Sequence, residues 1–142
     1  MHVHPYICFF GRCAEALDFY RTELGAEITV LLRFSEAPDP AACPPGADPN
    51  AIMHGMIRIG DLVCGVSDGP GKGRPQAQGF SLTINVDNLA EGERIFAVLG
   101  NGGNTQMPFT ETFFAKGFGM VEDRFGVSWM VLAAPIPVST RA

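Results

Sequence analysis

Cys13-Ala14-Glu15-Ala16-Leu17-Asp18-Phe19-Tyr20 and Leu89-Ala90-Glu91-Gly92-Glu93-Arg94-Ile95-Phe96 decide how this chain folds. Each follows an apolar, strand-like run, and each carries a bulky pair, Phe19-Tyr20 or Ile95-Phe96, at the same offset. Two halves on one plan form a pseudo-repeat: a short strand, a helix of about three turns, then further strands. The pattern predicts an α+β fold of two βαβββ modules, their mixed sheets curving around a central cavity able to take a ligand.

Working outward, the first module covers residues 1–68, a linker 69–78, the second module 79–134 and a tail 135–142, all in one structural domain. Val3 to Phe10 reads as a strand, with Pro5 tolerated near its start or on an edge. Cys13, Ala16, Leu17, Tyr20 and Leu24 fall on one helical stripe, and Gly25 is placed to end that helix. Glu27 to Phe34 reads as a strand. Pro38, Pro40, Pro44, Pro45 and Pro49 then break any ladder, leaving a lid or a mobile excursion over 35–51. Ile52 to Ile59 and Leu62 to Ser67 form a hairpin about Gly60-Asp61, with His54, Met56 and Arg58 on one face.

The second module repeats the plan. Phe80 to Val86 is a strand, and Asn88 with Glu91 has capping-box spacing. Leu89, Gly92, Phe96 and Leu99 mark the helix face expected to be buried. Thr105 to Met107, Glu111 to Val121 and Val127 to Leu132 supply the last strands, with Asp123-Arg124-Phe125-Gly126 as a turn. The tail after Ala133 is expected to fray.

Composition narrows the classes of function. A chain of 142 residues buries roughly 68–70% of its unfolded surface, enough for a core without staples. Apolar residues make up 46% and charged residues 18%, which argues for a packed globule rather than disorder. The net charge of −5, with no Lys/Arg-rich run, argues against nucleic acid as a partner. No apolar stretch has membrane-spanning length, and the first ten residues lack a signal peptide's basic start, so a cytoplasmic protein is expected. Cys8, Cys13, Cys43 and Cys64 show no Cys-x-x-Cys spacing and read as small buried hydrophobes. Cys13, at a helix start, carries a lesser redox reading, because a helix N-terminus lowers a thiol pKa. Gly69-Pro70-Gly71-Lys72-Gly73 lacks phosphate-loop spacing and opens no helix, so it reads as linker.

Pro5-Tyr6, Gly11-Arg12-Cys13-Ala14-Glu15-Ala16-Leu17, Phe19-Tyr20 and Leu24-Gly25 resemble the first module of a vicinal oxygen chelate protein, the superfamily of glyoxalase I, extradiol dioxygenases and bleomycin-resistance proteins. Pro108-Phe109, Glu111-Thr112-Phe113-Phe114, Gly119 and Asp123-Arg124-Phe125-Gly126-Val127-Ser128-Trp129 resemble its PhnB-like, demethylubiquinone methyltransferase-like branch. Metalloenzymes of the superfamily hold a divalent ion with His, Gln or Glu on four strands. Carried across, those positions fall on Pro5, Gly65, Ser81 and Met130. Proline and glycine have no side-chain donor, serine is a poor neutral ligand, and a thioether suits soft copper. The resemblance therefore implies no metal and no cofactor here, and argues against a glyoxalase I or dioxygenase.

The same register sends Ile7, Phe9, Ser81, Thr83, Ser128 and Met130, with His54 and Arg58, toward the cavity. Tyr6, Phe10 and Trp129 are expected under the helices, where packing rather than stacking explains Trp129. His4 points away from Pro5's face, and His2 lies near the terminus. Arg58 reads equally as a partner for a ligand carboxylate or phosphate and as a solvated strand arginine. Glu111 is a pocket carboxylate or a strand-start residue facing water; Phe114, with Phe113 and Phe118, is core or lid. No Ser-His-Asp, Cys-His or paired-carboxylate set assembles, so covalent catalysis is not supported.

The expected function is metal-independent binding of a small, partly apolar molecule by a homodimer whose sheet edges need cover. The alternative is a divalent-metal lyase, isomerase or dioxygenase with displaced ligands, and a third reading is a structural dimer without a ligand.

Overall fold

The computed structural model describes residues 1–39, 41, 43, 45–70 and 72–138. The chain divides into two compact units, Met1–Pro75 and Gln76–Ala142. In the first, β1 (Tyr6–Cys8) leads into α1 (Cys13–Leu24), then β2 (Glu27–Arg33), a short 3-10 turn (Phe34–Glu36), β3 (Ile52–Ile59) and β4 (Leu62–Ser67). In the second, β5 (Leu82–Val86) leads into α2 (Leu89–Gly100), then β6 (Asn104–Thr110), β7 (Ala115–Glu122) and β8 (Ser128–Pro135). Each unit is thus one βαβββ module. The sheets run β1-β4-β3-β2 and β5-β8-β7-β6. In both, the strand before the helix pairs parallel with the last strand, and the other pairs are antiparallel.

α1 begins and ends where its apolar stripe does. Cys13, Ala16, Leu17 and Tyr20 are buried, Leu24 is half-buried, and Gly25 stops the helix at φ 69°. α2 is capped as its spacing predicts, the Asn88 side chain accepting from the Glu91 N–H at 3.1 Å. Its buried stripe keeps Gly92 and Leu99 of the expected face, while Leu89 is only half-buried. Ile95 is buried with Gly92 and Leu99, while Phe96 is half-buried and stacks on Phe109 with centroids 5.4 Å apart.

One buried carboxylate in each unit organises the loop next to its sheet. Asp68, just past β4, accepts from the N–H groups of Gly11 (3.0 Å), Cys13 (2.8 Å) and Ile52 (2.8 Å). One side chain thereby joins the start of α1, the start of β3 and the end of β4. Asp123 accepts from Phe125 N–H (2.9 Å), Val127 N–H (3.1 Å) and the Trp129 indole (2.9 Å), which fixes the turn read at Asp123-Arg124-Phe125-Gly126. Buried polar groups are stable only when partnered in this way.

Several strand bounds move. β1 is three residues long, because Phe10 adopts φ 51° and turns the chain out of the ladder. β5 starts at Leu82 rather than Phe80, and β6 runs from Asn104 to Thr110. β7 starts at Ala115 rather than Glu111, because residues 111–114 form a turn held by Thr112 N–H to Ala115 C=O (2.9 Å) and Phe114 N–H to Thr112 Oγ1 (3.4 Å). The described part of the tail is ordered past Ala133, since β8 reaches Pro135 and Ile136 N–H bonds the Phe114 carbonyl at 2.8 Å; residues 139–142 lie outside the described residues. Of the Pro-rich segment, Pro40 and Pro44 lie outside the described residues. Its ends are closed by Phe34 N–H to Ala51 C=O (3.1 Å) and Ser35 N–H to Pro49 C=O (2.8 Å).

Candidate functional site

Strand alternation gives each sheet a helix-covered face and a helix-free one. In the first unit, Ile57, Cys64 and Val66 are buried on the covered side, and Ile57 pairs with Cys64 across the ladder. The opposite parity carries Tyr6, Gly65 and Met56, which lie in one row, since Gly65 pairs with both of the others. His54 and Arg58 flank Met56 on β3, on the face their spacing predicts.

This register corrects the first strand by one residue. Ile7 pairs with Val66 on the covered side, and Phe9 is 2% exposed with its ring 6.2 Å from Tyr20. Neither reaches the helix-free face. Tyr6 does: it is 48% exposed, and its hydroxyl lies 2.9 Å from His54 Nδ1. The ring reaches His54 because Gly65 has no side chain. A Cβ at that position would lie 2.3 Å from Tyr6 Cδ2. Arg58 is held by Glu27 in an ion pair of 2.5 Å with both side chains half-exposed, an arrangement worth about 0–1 kcal/mol.

In the second unit the expected parity matches the ladder. Thr83 pairs with Met130, Met130 with Met120, Phe118 with Leu132 and Ser128 with Glu122, all on one side. Trp129, 2% exposed, alternates to the other side with Val121 and Val131. Phe114 packs edge-on against Phe118, centroids 5.1 Å apart, and Phe113 against Phe114 at 5.2 Å. The helix-free face here is aromatic and thioether-rich, with Thr83 and Ser128 as its small polar groups. Ser81 precedes β5, and Glu111 is exposed in the turn before β7.

Burial pushes the Cys13 thiol up to about 12, with the Asp68 carboxylate adding to the effect. The redox reading of Cys13 is thereby overturned, since desolvation and a neighbouring anion outweigh the helix terminus. Burial likewise raises Cys64 to about 11.

A pocket of about 580 Å³ opens beside Asp68 in the first unit, lined by Phe10, Phe34, Met53, Pro70 and Lys72. Pro45 to Asp48 of the Pro-rich segment form one wall. The sequence had singled out neither Asp68 nor the Tyr6 hydroxyl. A Ser-Asp-Gly-Pro run closing a strand is the signal for the first, while nothing in the apolar run around Tyr6 marks its face.

The donors do not suit a hard divalent ion. Of the four carried-over positions, Pro5 and Gly65 offer no side-chain donor, Ser81 a hydroxyl and Met130 a thioether. Among the described residues, no group of three His, Cys, Asp or Glu side chains is placed to hold one ion. Helix N-termini are also committed, α1 to Asp68 and α2 to Asn88, so neither is free to grip a phosphate. Among the described residues, no helix is long and apolar enough to cross a membrane.

A sequence profile of the family described as 3-demethylubiquinone-9 3-methyltransferase matches residues 1–132. Protein YjdN of Escherichia coli K12 is 37% identical over 138 residues, covering 92% of this chain and 94% of YjdN. The crystal structure of PA1353 from Pseudomonas aeruginosa is similar with a TM-score of 0.79 at 39% identity, covering 94% of this chain and 97% of PA1353. A PhnB protein from Bacillus cereus shares the fold at TM-score 0.79 and 22% identity, covering 94% of this chain and all of that one.

Proposed function

We propose, starting from a chain that belongs to the PhnB-like branch of the vicinal oxygen chelate superfamily, that it binds a small, partly apolar organic molecule without a metal ion. The single observation behind this reading is what the helix-free faces carry. One offers Tyr6, His54 and Met56; the other offers Phe118, Met120 and Met130 with Thr83 and Ser128. Apolar surface with a few polar groups is the usual make-up of a small-molecule site. Imidazole and carboxylate sets, which a metal reaction needs, do not converge on those rows. Ile7 and Phe9 drop out of the proposed lining on the first unit's face and Tyr6 joins it, while Glu111 lies exposed in the turn before β7 of the second unit.

The methyl transfer named in the family's description has no counterpart among these groups. The glycine-rich loop that would cradle a nucleotide is missing at both helix starts, which Arg12 and Asn88 precede. We also propose a homodimer acting in the cytoplasm. The edge strand β2 exposes Ile28, Val30 and Leu31, and an apolar edge is covered most simply by a symmetric copy.

A thermal-shift screen of a metabolite library on metal-stripped protein tests the reading. A ligand at 100 times its dissociation constant adds about 2.7 kcal/mol of stability. At least one compound is expected to raise the midpoint without added metal. A library that acts only after a divalent ion is supplied would reject the metal-free reading.

A further inference from the structure

Tyr6 and His54 make a feature that small-molecule binding in general does not require. Their ring planes lie within 13° of each other, centroids 5.7 Å apart, with Oη 2.9 Å from Nδ1. Rings stacked face to face keep about 3.5 Å between planes, the contact distance of non-bonded carbons. A 2.9 Å bond between atoms of near-parallel rings places them side by side instead. The two rings therefore lie side by side with nearly parallel planes, joined by a hydrogen bond and reaching from β1 across β4 to β3.

Gly65 is the floor of that pair. Its missing Cβ would lie 2.3 Å from Tyr6 Cδ2 and 2.7 Å from Cε2, so no other residue lets the Tyr6 ring lie flat there. With 48% of Tyr6 accessible, the outer side of the platform is open. The hydrogen bond also sets the imidazole. A phenol is the better donor and an imidazole nitrogen the better acceptor, which favours the tautomer in which Oη–H donates to Nδ1 and the ring hydrogen sits on Nε2. Nε2 makes no hydrogen bond among the described residues and stands as a donor at the platform's edge. Four residues further along β3, beyond Met56, Arg58 adds a cation to the same face, with Glu27 as its partner.

We propose that this platform holds a planar conjugated ligand face-on, an acceptor oxygen of the ligand being taken by His54 Nε2–H; small aromatic carboxylates are the class it fits. The proposal rests on the reading that the helix-free face is a ligand site, and it names the substrate class of that face. Ring stacking supplies shape selection, and the N–H supplies orientation.

Three probes separate these contributions: benzoate, cyclohexanecarboxylate (equal charge, no flat face) and aniline (flat, no acceptor oxygen). Each is titrated into isotope-labelled protein while the His54 nitrogen and Tyr6 ring signals are followed by NMR. Benzoate is expected to bind and move both sets of signals. Cyclohexanecarboxylate should bind about fivefold more weakly, and aniline about tenfold. His54→Phe keeps a ring but removes the donor, and should erase the preference for benzoate over aniline. Tyr6→Phe keeps the platform but frees Nδ1, and should weaken benzoate by about threefold. Both changes lie on a sheet surface, and melting curves verify that each variant is folded.

The proposal is overturned if benzoate fails to bind, if cyclohexanecarboxylate binds as tightly, or if binding leaves Tyr6 and His54 unmoved. Should benzoate move only Phe114, Phe118 or Met130, the platform is wrong while metal-free small-molecule binding stands. Failure of the whole metabolite library instead removes the broader reading.

Discussion

Replacing Gly65 by alanine tests whether the empty position on β4 serves the site or merely the sheet. The added Cβ meets Tyr6 Cδ2 at 2.3 Å, Cε2 at 2.7 Å and Cγ at 3.2 Å. Ordinary carbon contact is about 3.5 Å, so the ring must retreat by more than about 1 Å. Because Tyr6 is half-exposed, it retreats into solvent, and its hydroxyl leaves hydrogen-bond range of His54, which starts at 2.9 Å. The loss is one hydrogen bond, about 0.5–1.5 kcal/mol. Against it stands about 0.5–1 kcal/mol gained by alanine over glycine within a strand. The two nearly cancel, leaving a net change below about 1 kcal/mol, or a melting shift within about 4 °C. The assay pairs a thermal melt with NMR detection of the His54 nitrogens. Gly65→Ala should melt close to the parent, lose the Nδ1 hydrogen-bond signature and bind benzoate about tenfold more weakly. A retained Tyr6–His54 bond would refute the reasoning, and so would a loss of several kcal/mol, which would make Gly65 a requirement of the sheet itself.

Other consequences follow from the same contacts. Asp123→Ala strands three buried donors at about 1–3 kcal/mol each, so chemical denaturation should show a loss of at least about 3 kcal/mol. Burial pushes the Cys13 and Cys64 thiols up to about 12 and about 11, above the ordinary thiol value of 9.0. The folded state therefore holds protons that the unfolded state releases, and stability present below pH 9 declines as pH rises toward 11–12. The slope is about 1.4 kcal/mol per pH unit for each thiol, and denaturation midpoints of the Cys13→Ala, Cys64→Ala double variant should decline less steeply across that window. Both thiols should resist an aqueous disulfide reagent at pH 8 until the protein is unfolded. If the proposed dimer forms through the exposed β2 edge, the parent should sediment as a dimer and Leu31→Lys as a monomer; a monomeric parent would reject the dimer, and a dimeric variant would place its interface elsewhere.

Much of the fold was legible because helical and strand periods were clear in the right places. Cys13 to Leu24 and the hairpin strands Ile52–Ile59 and Leu62–Ser67 follow their apolar spacing to the residue. Asn88, Gly25 and the Asp123 turn acted as punctuation that local chemistry explains. The first strand was not legible, since Tyr6-Ile7-Cys8-Phe9-Phe10 contains no polar residue to mark a face. Parity there was set from Pro5, one residue out, which sent Ile7 and Phe9 to the wrong side and hid Tyr6. Glu111 faces water as one of its two readings expects, but it stands outside β7, because Thr112 closes a local turn that competes with the ladder. Tertiary pairing, not local propensity, decides such cases.

The proposed function requires that the ligand be bound without an ion. Elemental analysis of protein purified without chelator or affinity metal, dialysed and then titrated with manganese, nickel and zinc, addresses it most directly. The account predicts far less than one equivalent of any divalent metal per chain, and no change in the Tyr6, His54 or Met130 NMR signals on titration. One tightly held equivalent, broadening or shifting those signals, would contradict it.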